Sequence, residues 1–104
     1  MNIQEKIKEF NDKMDWNKYH TYQDILLALN IEVWELQEHF LFNRHKDWVN
    51  IEDVSDEIGD CFIYLIILCN KLKIDYKESI HTKLVKNKEK YMKKEFIWSN
   101  KKSL

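Results

Sequence analysis

The chain has 104 residues, a formal net charge of −1, no proline and a single glycine. A chain of this length suits one hydrophobic core, so we expect residues 1–104 to form a single domain. With so few turn-forming residues, the chain cannot make the many tight reversals of a β-sandwich or barrel, whereas abundant Lys, Glu, Leu and Ile favour long helices. The composition therefore argues against an all-β fold, and an aromatic content of 13% argues against intrinsic disorder.

Two features bear on the cellular location. The longest uncharged apolar run, Cys61–Cys69, has nine residues, whereas a bilayer-spanning helix needs about 20. The N-terminus is charged and lacks the apolar stretch of a secretory signal. The two cysteines are eight positions apart, which on one helix separates their Cα atoms by about 12 Å, beyond disulfide reach. We therefore predict a cytoplasmic protein with no membrane partner and with both thiols reduced and buried.

The periodicity of apolar residues predicts four helices. The first spans about residues 2–14, with Ile3, Ile7, Phe10 and Met14 on one stripe. Thr21 is a candidate N-cap for the second helix, with Asp24 three positions further on, as in a capping box. That helix extends to about residue 43. Its stripe comprises Leu26, Leu29, Val33, Leu36 and Phe40.

Asn50 is a candidate N-cap for the third helix, over about residues 51–73. Its stripe comprises Val54, Ile58, Cys61, Leu65, Leu68 and Leu72. Three isoleucines, at positions 63, 66 and 67, lie off that stripe, so the helix is apolar on several sides. Because 104 residues can hardly bury such a helix alone, we predict a homo-oligomer.

A cap signal formed by Asp75 and Glu78 opens the fourth helix, which is expected to end at about residue 92. Residues 93–104 then form a basic C-terminal tail. Charge is unevenly distributed along the chain: residues 1–70 carry fourteen acidic and six basic side chains, whereas residues 71–104 carry four acidic and eleven basic ones. Solvated helix faces account for most of these charges. Alternatively, the acidic helices bind a divalent cation, and the basic helix binds the anion that accompanies this cation.

Two acidic pairs carry the candidate chemistry. Glu32 and Glu35 lie on the second helix, and Glu57 and Asp60 lie on the third. Residues three apart project from the same side of a helix, and both pairs border the apolar stripes. If the stripes pack together, four carboxylates converge, and their repulsion calls for a bound cation. Oxygen ligands suit Mg²⁺, with Mn²⁺ as an alternative.

The acidic residues also have two simpler interpretations. A Glu-x-x-Glu pair alone usually marks a solvated helix face. A di-iron carboxylate bundle needs two Glu-x-x-His motifs. This chain has one, from Glu78 to His81, which disfavours a di-iron site.

Further residues have the chemistry to bind a nucleotide. Tyr64 lies one turn beyond Asp60, and it could stack on a base together with Trp16 and Phe42. Four residues share one edge of the fourth helix and could hold phosphate oxygens: Lys83, Asn87, Lys90 and Tyr91. For each aromatic residue the plain alternative is core packing, and for each lysine it is a solvated side chain.

The order of these residues resembles the MazG-like all-α nucleoside triphosphate pyrophosphohydrolases, particularly the dCTP pyrophosphatase branch. The resemblance covers about residues 15–92. It is carried by four segments of the sequence, namely 16–20 (WNKYH), 26–36 (LLALNIEVWEL), 56–65 (DEIGDCFIYL) and 83–91 (KLVKNKEKY).

The resemblance implies a four-helix bundle, a dimer or tetramer, and cleavage of a nucleoside triphosphate to the monophosphate and pyrophosphate. Two sets of site residues follow from it. The magnesium-binding and catalytic set matches Glu32, Glu35, Glu57 and Asp60. The substrate-binding set matches Trp16, His20, Phe42 and Tyr64 at the nucleoside and Lys83, Asn87, Lys90 and Tyr91 at the phosphates and sugar. The implied role is nucleotide-pool house-cleaning with dCTP-like or modified pyrimidine substrates.

Three positions depart from the family pattern. Trp34 replaces a glycine between the two glutamates, Phe42 replaces a tryptophan, and Met92 replaces a proline, which lets the fourth helix continue. These changes bear on pocket shape and base preference more than on the carboxylates. The competing hypothesis is a non-catalytic helical oligomerisation or interaction module. Nucleic-acid binding through the basic segment is a third hypothesis, which the absence of a chain-wide basic surface disfavours.

Overall fold

The computed structural model describes residues 1–15, 21–41 and 49–102, with side chains described as far as residue 94. These residues form four helices and no strand. The helices are α1 (Ile3–Met14), α2 (Tyr22–Glu38), α3 (Ile51–Leu72) and α4 (Tyr76–Lys102). The predicted all-α class and the number of helices are confirmed for this part of the chain.

The predicted N-terminal caps are present. The Thr21 hydroxyl accepts a hydrogen bond from the Asp24 amide at 3.1 Å, and the Asp24 carboxylate accepts one from the Thr21 amide at 3.3 Å. Asn50 accepts a bond from the Asp53 amide at 3.1 Å. The Asp75 carboxylate accepts bonds from the first amides of α4. These side chains satisfy backbone donors that have no partner within the helix, which fixes where each helix begins.

The C-terminal ends differ more from the prediction. α2 ends at Glu38, before the expected residue 43, because the amides of His39, Phe40 and Leu41 bond to carbonyls three residues back. α4 continues to Lys102, so the prediction of a separate tail from residue 93 is wrong. No proline or glycine interrupts the sequence after residue 59, and nothing local ends the helix at 92.

The chain forms two compact units, Met1–Lys73 and Ile74–Leu104. The first unit is built around α3, with α2 and α1 packed against it. Asn70 of α3 donates a hydrogen bond to the Gln4 carbonyl of α1 at 3.3 Å. Among the described residues, the buried apolar side chains are Ile25, Val54, Ile66 and Ile67.

The faces that pack differ in part from the predicted stripes, although Val54 of the α3 stripe is buried as predicted. On α3, Ile66 and Ile67 lie in the core, whereas Ile58 and Leu65 of the predicted stripe are about 40% exposed. On α2 the fully buried residue is Ile25, which the predicted stripe omits. Periodicity in the sequence identifies residues that share a helix face. Where a helix has several apolar faces, the structure shows which of them packs against another helix.

α1 departs from its predicted stripe in the same way. Ile3, Phe10 and Met14 are each about half exposed, and the one buried residue of this helix is Asn11, at 3% exposure. The packed face of α1 therefore runs through Ile7 and Asn11, and a polar side chain occupies its most buried position.

Within the described part of the chain, no helix combines the length and the apolar character needed to cross a membrane. The thiols of Cys61 and Cys69 are half-buried, less enclosed than the sequence predicted.

Replacing Ile67 by alanine tests the importance of the α3 core. Ile67 is 2% exposed, so the substitution leaves a cavity and should lower the free energy of unfolding by about 2–5 kcal/mol. Ile3→Ala, at a position 49% exposed, is the matched control and should cost less than about 1 kcal/mol. Both values come from urea unfolding at one protein concentration. Equal losses in the two variants would contradict the described core.

Candidate metal centre

Acidic side chains from α2 and α3 meet along the line where the two helices pack. His39 lies near Glu57, and Glu32 lies near Glu57, Asp60 and Tyr64. Because later residues of α2 pair with earlier residues of α3, the two helices are antiparallel. The sequence placed the acidic pairs at the border of the apolar stripes. Glu32 instead lies seven residues from the buried Ile25, which is two helical turns along the packed face itself.

Three carboxylates form the centre of the site. Glu32, Glu35 and Glu57 each place one oxygen within 4.8 Å of the others, close enough to share one metal ion. The sequence analysis predicted that the Asp60 carboxylate would lie with these three. Asp60 lies outside this trio and is exposed, although its charge acts on Glu32. The structure therefore brings three of the four predicted carboxylates to one point and places the fourth close to it.

The cluster changes the acidity of Glu32. Its pKa is raised from 4.5 to about 7. The largest cause is burial, followed by a hydrogen bond with Glu57 and repulsion from Glu35, Asp60 and Glu57. Each of these effects favours the protonated form, because a second negative charge in a poorly solvated site is costly. In the absence of a cation, Glu32 is therefore half protonated near neutral pH.

Two oxygens of the cluster have no hydrogen-bond partner among the residues that the structure describes. Glu32 Oε2 and Glu57 Oε2 are both buried and unsatisfied. Nearby, the His39 imidazole lies 4.0 Å from the other Glu57 oxygen, too far for a hydrogen bond. Buried acceptors of one charge without donors fit a cation, and an all-oxygen set of this kind suits Mg²⁺ or Mn²⁺. The residues present thus fit the divalent metal that the sequence predicted.

His39 is a residue of this site that the sequence analysis missed. It is half-buried and lies seven residues beyond Glu32 and four beyond Glu35, on the same face of α2. That spacing was the available signal. His39 lies beside Glu57 and borders the carboxylates at the end of α2.

Tyr64 and Cys61 border the cluster on α3. Burial raises the pKa of both side chains, and the negative charges of Glu32 and Asp60 raise them further. The Tyr64 phenol therefore remains neutral and can donate a hydrogen bond. Its position beside the carboxylates is compatible with its predicted contact with a nucleoside, which remains a prediction.

The other predicted substrate residues do not form part of the described cluster. Trp16, His20 and Phe42 lie outside the described residues. The phosphate-binding candidates all lie on α4, in the second unit, and are exposed: Lys83, Asn87, Lys90 and Tyr91. Their position relative to the carboxylates remains a prediction.

Trp34 stands between the two glutamates of α2. It is 51% exposed, so its indole points away from the packed face that carries Glu32 and Glu35. The large side chain is thus accommodated without displacing the carboxylates.

Comparison with known proteins gives one consistent family. The MazG-like family model matches residues 27–103, which includes all three clustered carboxylates. The chain belongs to the MazG-like family. This MazG-like chain is also 30% identical over 90 residues to dCTP pyrophosphatase 1 of Bos taurus and of Homo sapiens. The alignment covers 80% of the chain and 53% of each relative, so the chain spans about half their length.

A solved structure shares the fold over most of its length. A pyrophosphatase from Archaeoglobus fulgidus superposes with a TM-score of 0.76 at 35% sequence identity. The match covers 84% of this MazG-like chain and 86% of the archaeal one. The fold and the family expected from the sequence are therefore confirmed.

The raised pKa of Glu32 predicts a pH-dependent stability. The folded protein holds this proton more tightly than the unfolded chain does. Glu32 therefore disfavours the metal-free fold increasingly as pH rises from about 4.5 to about 7. Without metal, Glu32→Gln should melt a few degrees above the unsubstituted protein at about pH 8 and close to it at about pH 5. Thermal unfolding followed by circular dichroism measures this difference.

Magnesium should reverse the order of the two proteins. A cation stabilises ionised Glu32, so Mg²⁺ should raise the melting temperature more at about pH 8 than at about pH 6, and Glu32→Gln should lose most of that increase. Glu38→Gln, at an exposed site on the same helix, is the matched control and should keep it. An equal Mg²⁺ effect in Glu32→Gln and Glu38→Gln would refute a cation site at the cluster.

Proposed function

We propose that this protein is a divalent-metal-dependent nucleotide pyrophosphohydrolase. It would cleave a nucleoside or deoxynucleoside triphosphate between the α and β phosphates, giving the monophosphate and pyrophosphate. The observation that carries the proposal is the carboxylate cluster of Glu32, Glu35 and Glu57, with two buried oxygens that lack donors. Membership of the MazG-like family and similarity to proteins named dCTP pyrophosphatase 1 and pyrophosphatase support it.

The carboxylates have two tasks in this proposal. Glu32, Glu35 and Glu57 hold Mg²⁺, or alternatively Mn²⁺, and Asp60 adds a fourth carboxylate at the exposed side of the cluster. When bound, the divalent cation supplies positive charge to the triphosphate and makes water more acidic. A carboxylate oxygen that does not hold the metal can accept the proton of the attacking water, which requires that oxygen to be ionised.

The rest of the substrate contacts other groups. Tyr64 borders the cluster and, with Trp16, His20 and Phe42, is proposed to enclose the nucleoside. The lysines of α4 supply positive charge for phosphate oxygens, together with Asn87 and Tyr91. We propose dCTP-like or modified pyrimidine nucleotides as substrates and nucleotide-pool house-cleaning in the cytoplasm as the role. Both units would then act as one domain.

We also propose that the protein is a homodimer or homotetramer. Ile58, Phe62 and Leu65 follow i, i+4, i+7 spacing along α3, and 40%, 57% and 41% of their respective surfaces are exposed. A helix face with this pattern is typical of a surface that packs against another helix. A second copy of the chain, which offers the same face, is the proposed partner.

The proposed reaction is tested by incubating the purified protein with Mg²⁺ and a panel of nucleotides. Pyrophosphate and a monophosphate should be released, rather than phosphate and a diphosphate. Glu35→Ala and Glu57→Ala should each reduce turnover by about 100-fold or more, because each removes a metal ligand. Their helical circular dichroism should persist, since neither residue belongs to the apolar core.

Two outcomes would contradict the proposed reaction. Glu38→Ala removes an exposed carboxylate of α2 and should keep full activity, so an equal loss in this control would point to a general charge effect. Release of no pyrophosphate from any common or modified nucleotide would favour the non-catalytic interaction module.

Sedimentation velocity tests the oligomer. At micromolar concentration the protein should sediment with at least twice the mass of one chain. Phe62→Glu places a charge at the centre of the exposed α3 face and should shift the equilibrium toward the monomer. Lys6→Glu, at an exposed position of α1, should not. A monomeric unsubstituted protein would refute the association.

A further inference from the structure

The most buried polar side chain of the described residues belongs to α1, outside the carboxylate cluster. Asn11 is 3% exposed, and its Oδ1 atom has no hydrogen-bond partner. It is the single buried residue of α1, at a position where the packed face otherwise calls for an apolar side chain.

An unsatisfied acceptor at this position disfavours the fold. Asn11 gives up hydration on folding and gains no protein donor for Oδ1 in return. Alanine or leucine would pack there without that penalty, as the neighbouring Ile7 shows by its partial burial. Oδ1 therefore has no donor among the described residues, and it would gain one if a bound group presented an N–H there.

The packing of α1 against α3 indicates where Asn11 lies along the first unit. The Asn70 side chain donates to the Gln4 carbonyl, so the start of α1 lies beside the end of α3. α3 ends at Leu72, so the later residues of α1 can contact α3 only if the two helices are antiparallel. Seven residues advance about 10 Å in a helix, which brings Asn11 to the level of Ile63 on α3.

The helix geometry of α3 relates this position to the carboxylates. At 100° per residue, Ile63 lies about 60° around α3 from Asp60 and about 100° from Tyr64. Ile67 falls between these directions and is 2% exposed. α1 and α2 thus cover adjacent sides of α3, and Asn11 borders the side that carries Asp60 and Tyr64.

We propose that Asn11 is a specificity-determining residue whose Oδ1 accepts a hydrogen bond from an exocyclic amino group of the substrate base. The inference rests on the proposed pyrophosphohydrolase function. Cytosine and adenine carry such an amino group, whereas uracil and hypoxanthine carry a carbonyl at the same ring position. A carbonyl facing Oδ1 would leave two acceptors unpaired, and a site built around a hydrogen bond rejects the analogue that cannot make it.

Matched nucleotide pairs test this role. The values of kcat/KM are measured for dCTP against dUTP and for dATP against dITP, which differ in the amino or carbonyl group and in the hydrogen on the adjacent ring nitrogen. The unsubstituted protein should prefer the amino member of at least one pair by about tenfold or more. In Asn11→Ala and in the closer-sized Asn11→Leu, that preference should fall to within about threefold, through a lower kcat/KM for the amino substrate.

Asn30→Ala is the control, since it removes an exposed amide of α2 and should leave the preference unchanged. A second readout separates recognition from folding. Without nucleotide, Asn11→Leu should melt at or above the unsubstituted protein, whereas a structural asparagine would lower the melting temperature when replaced. With Mg²⁺, dCMP should stabilise the unsubstituted protein more than dUMP does, and this difference should vanish in Asn11→Leu.

The proposal is overturned if the unsubstituted protein prefers the carbonyl member of both pairs or shows no preference, a result that needs no variant to fold. It is also overturned if Asn11→Ala or Asn11→Leu keeps the original preference. Absence of all pyrophosphate release from the unsubstituted protein would instead refute the proposed function, so the two failures are distinguishable.

Discussion

The burial of Glu32 among other carboxylates, with the repulsion that this causes, is the constraint on which the site depends. Two carboxylates from antiparallel helices meet on the packed face of α2 and α3, each with one buried oxygen that has no donor. Hydrophobic packing elsewhere in this unit, including Ile25 of α2 and Ile67 of α3, holds the helices together despite this repulsion. The fold thus stores an unfavourable arrangement that a proton or a cation relieves. Binding of a cation at this site would therefore stabilise the folded protein.

The unsatisfied polar atoms belong to a few residues. In the described part of the chain, the buried side-chain oxygens without partners belong to Asn11, Glu32 and Glu57. Two are carboxylate oxygens that suit a cation, and the third is an amide oxygen that suits a neutral donor. Together they would distinguish a ligand that brings a metal at one end and an amino group at the other. A metal-bound nucleotide with an aminated base has both features.

The sequence predicts the helices and their caps because these depend on neighbours within a few residues. Thr21 and Asn50 cap their helices as expected, and the acidic pairs share a face because three-residue spacing requires it. The choice among apolar faces could not be predicted in the same way. Ile66 and Leu65 are equally apolar neighbours, and which of them is buried is decided by where α1 and α2 lie. Asn11 escaped notice for the same reason, since a stripe drawn from apolar residues omits a polar residue at its centre. His39, in contrast, was detectable from its spacing to Glu32.

Burial in the described residues bears on how the chain remains folded. Four apolar side chains are buried there, while Phe62, Leu27 and Leu84 each leave more than half of their surface exposed. A small buried core offsets little of the conformational entropy that folding costs. The buried carboxylates and the buried amide on the packed faces lower the stability of the fold further. Association through the exposed faces would supply the missing apolar burial, and it would allow each chain to retain polar groups that a monomer of this length could not accommodate. The proposed oligomer would therefore help to accommodate the polar groups of the site as well as the exposed apolar faces.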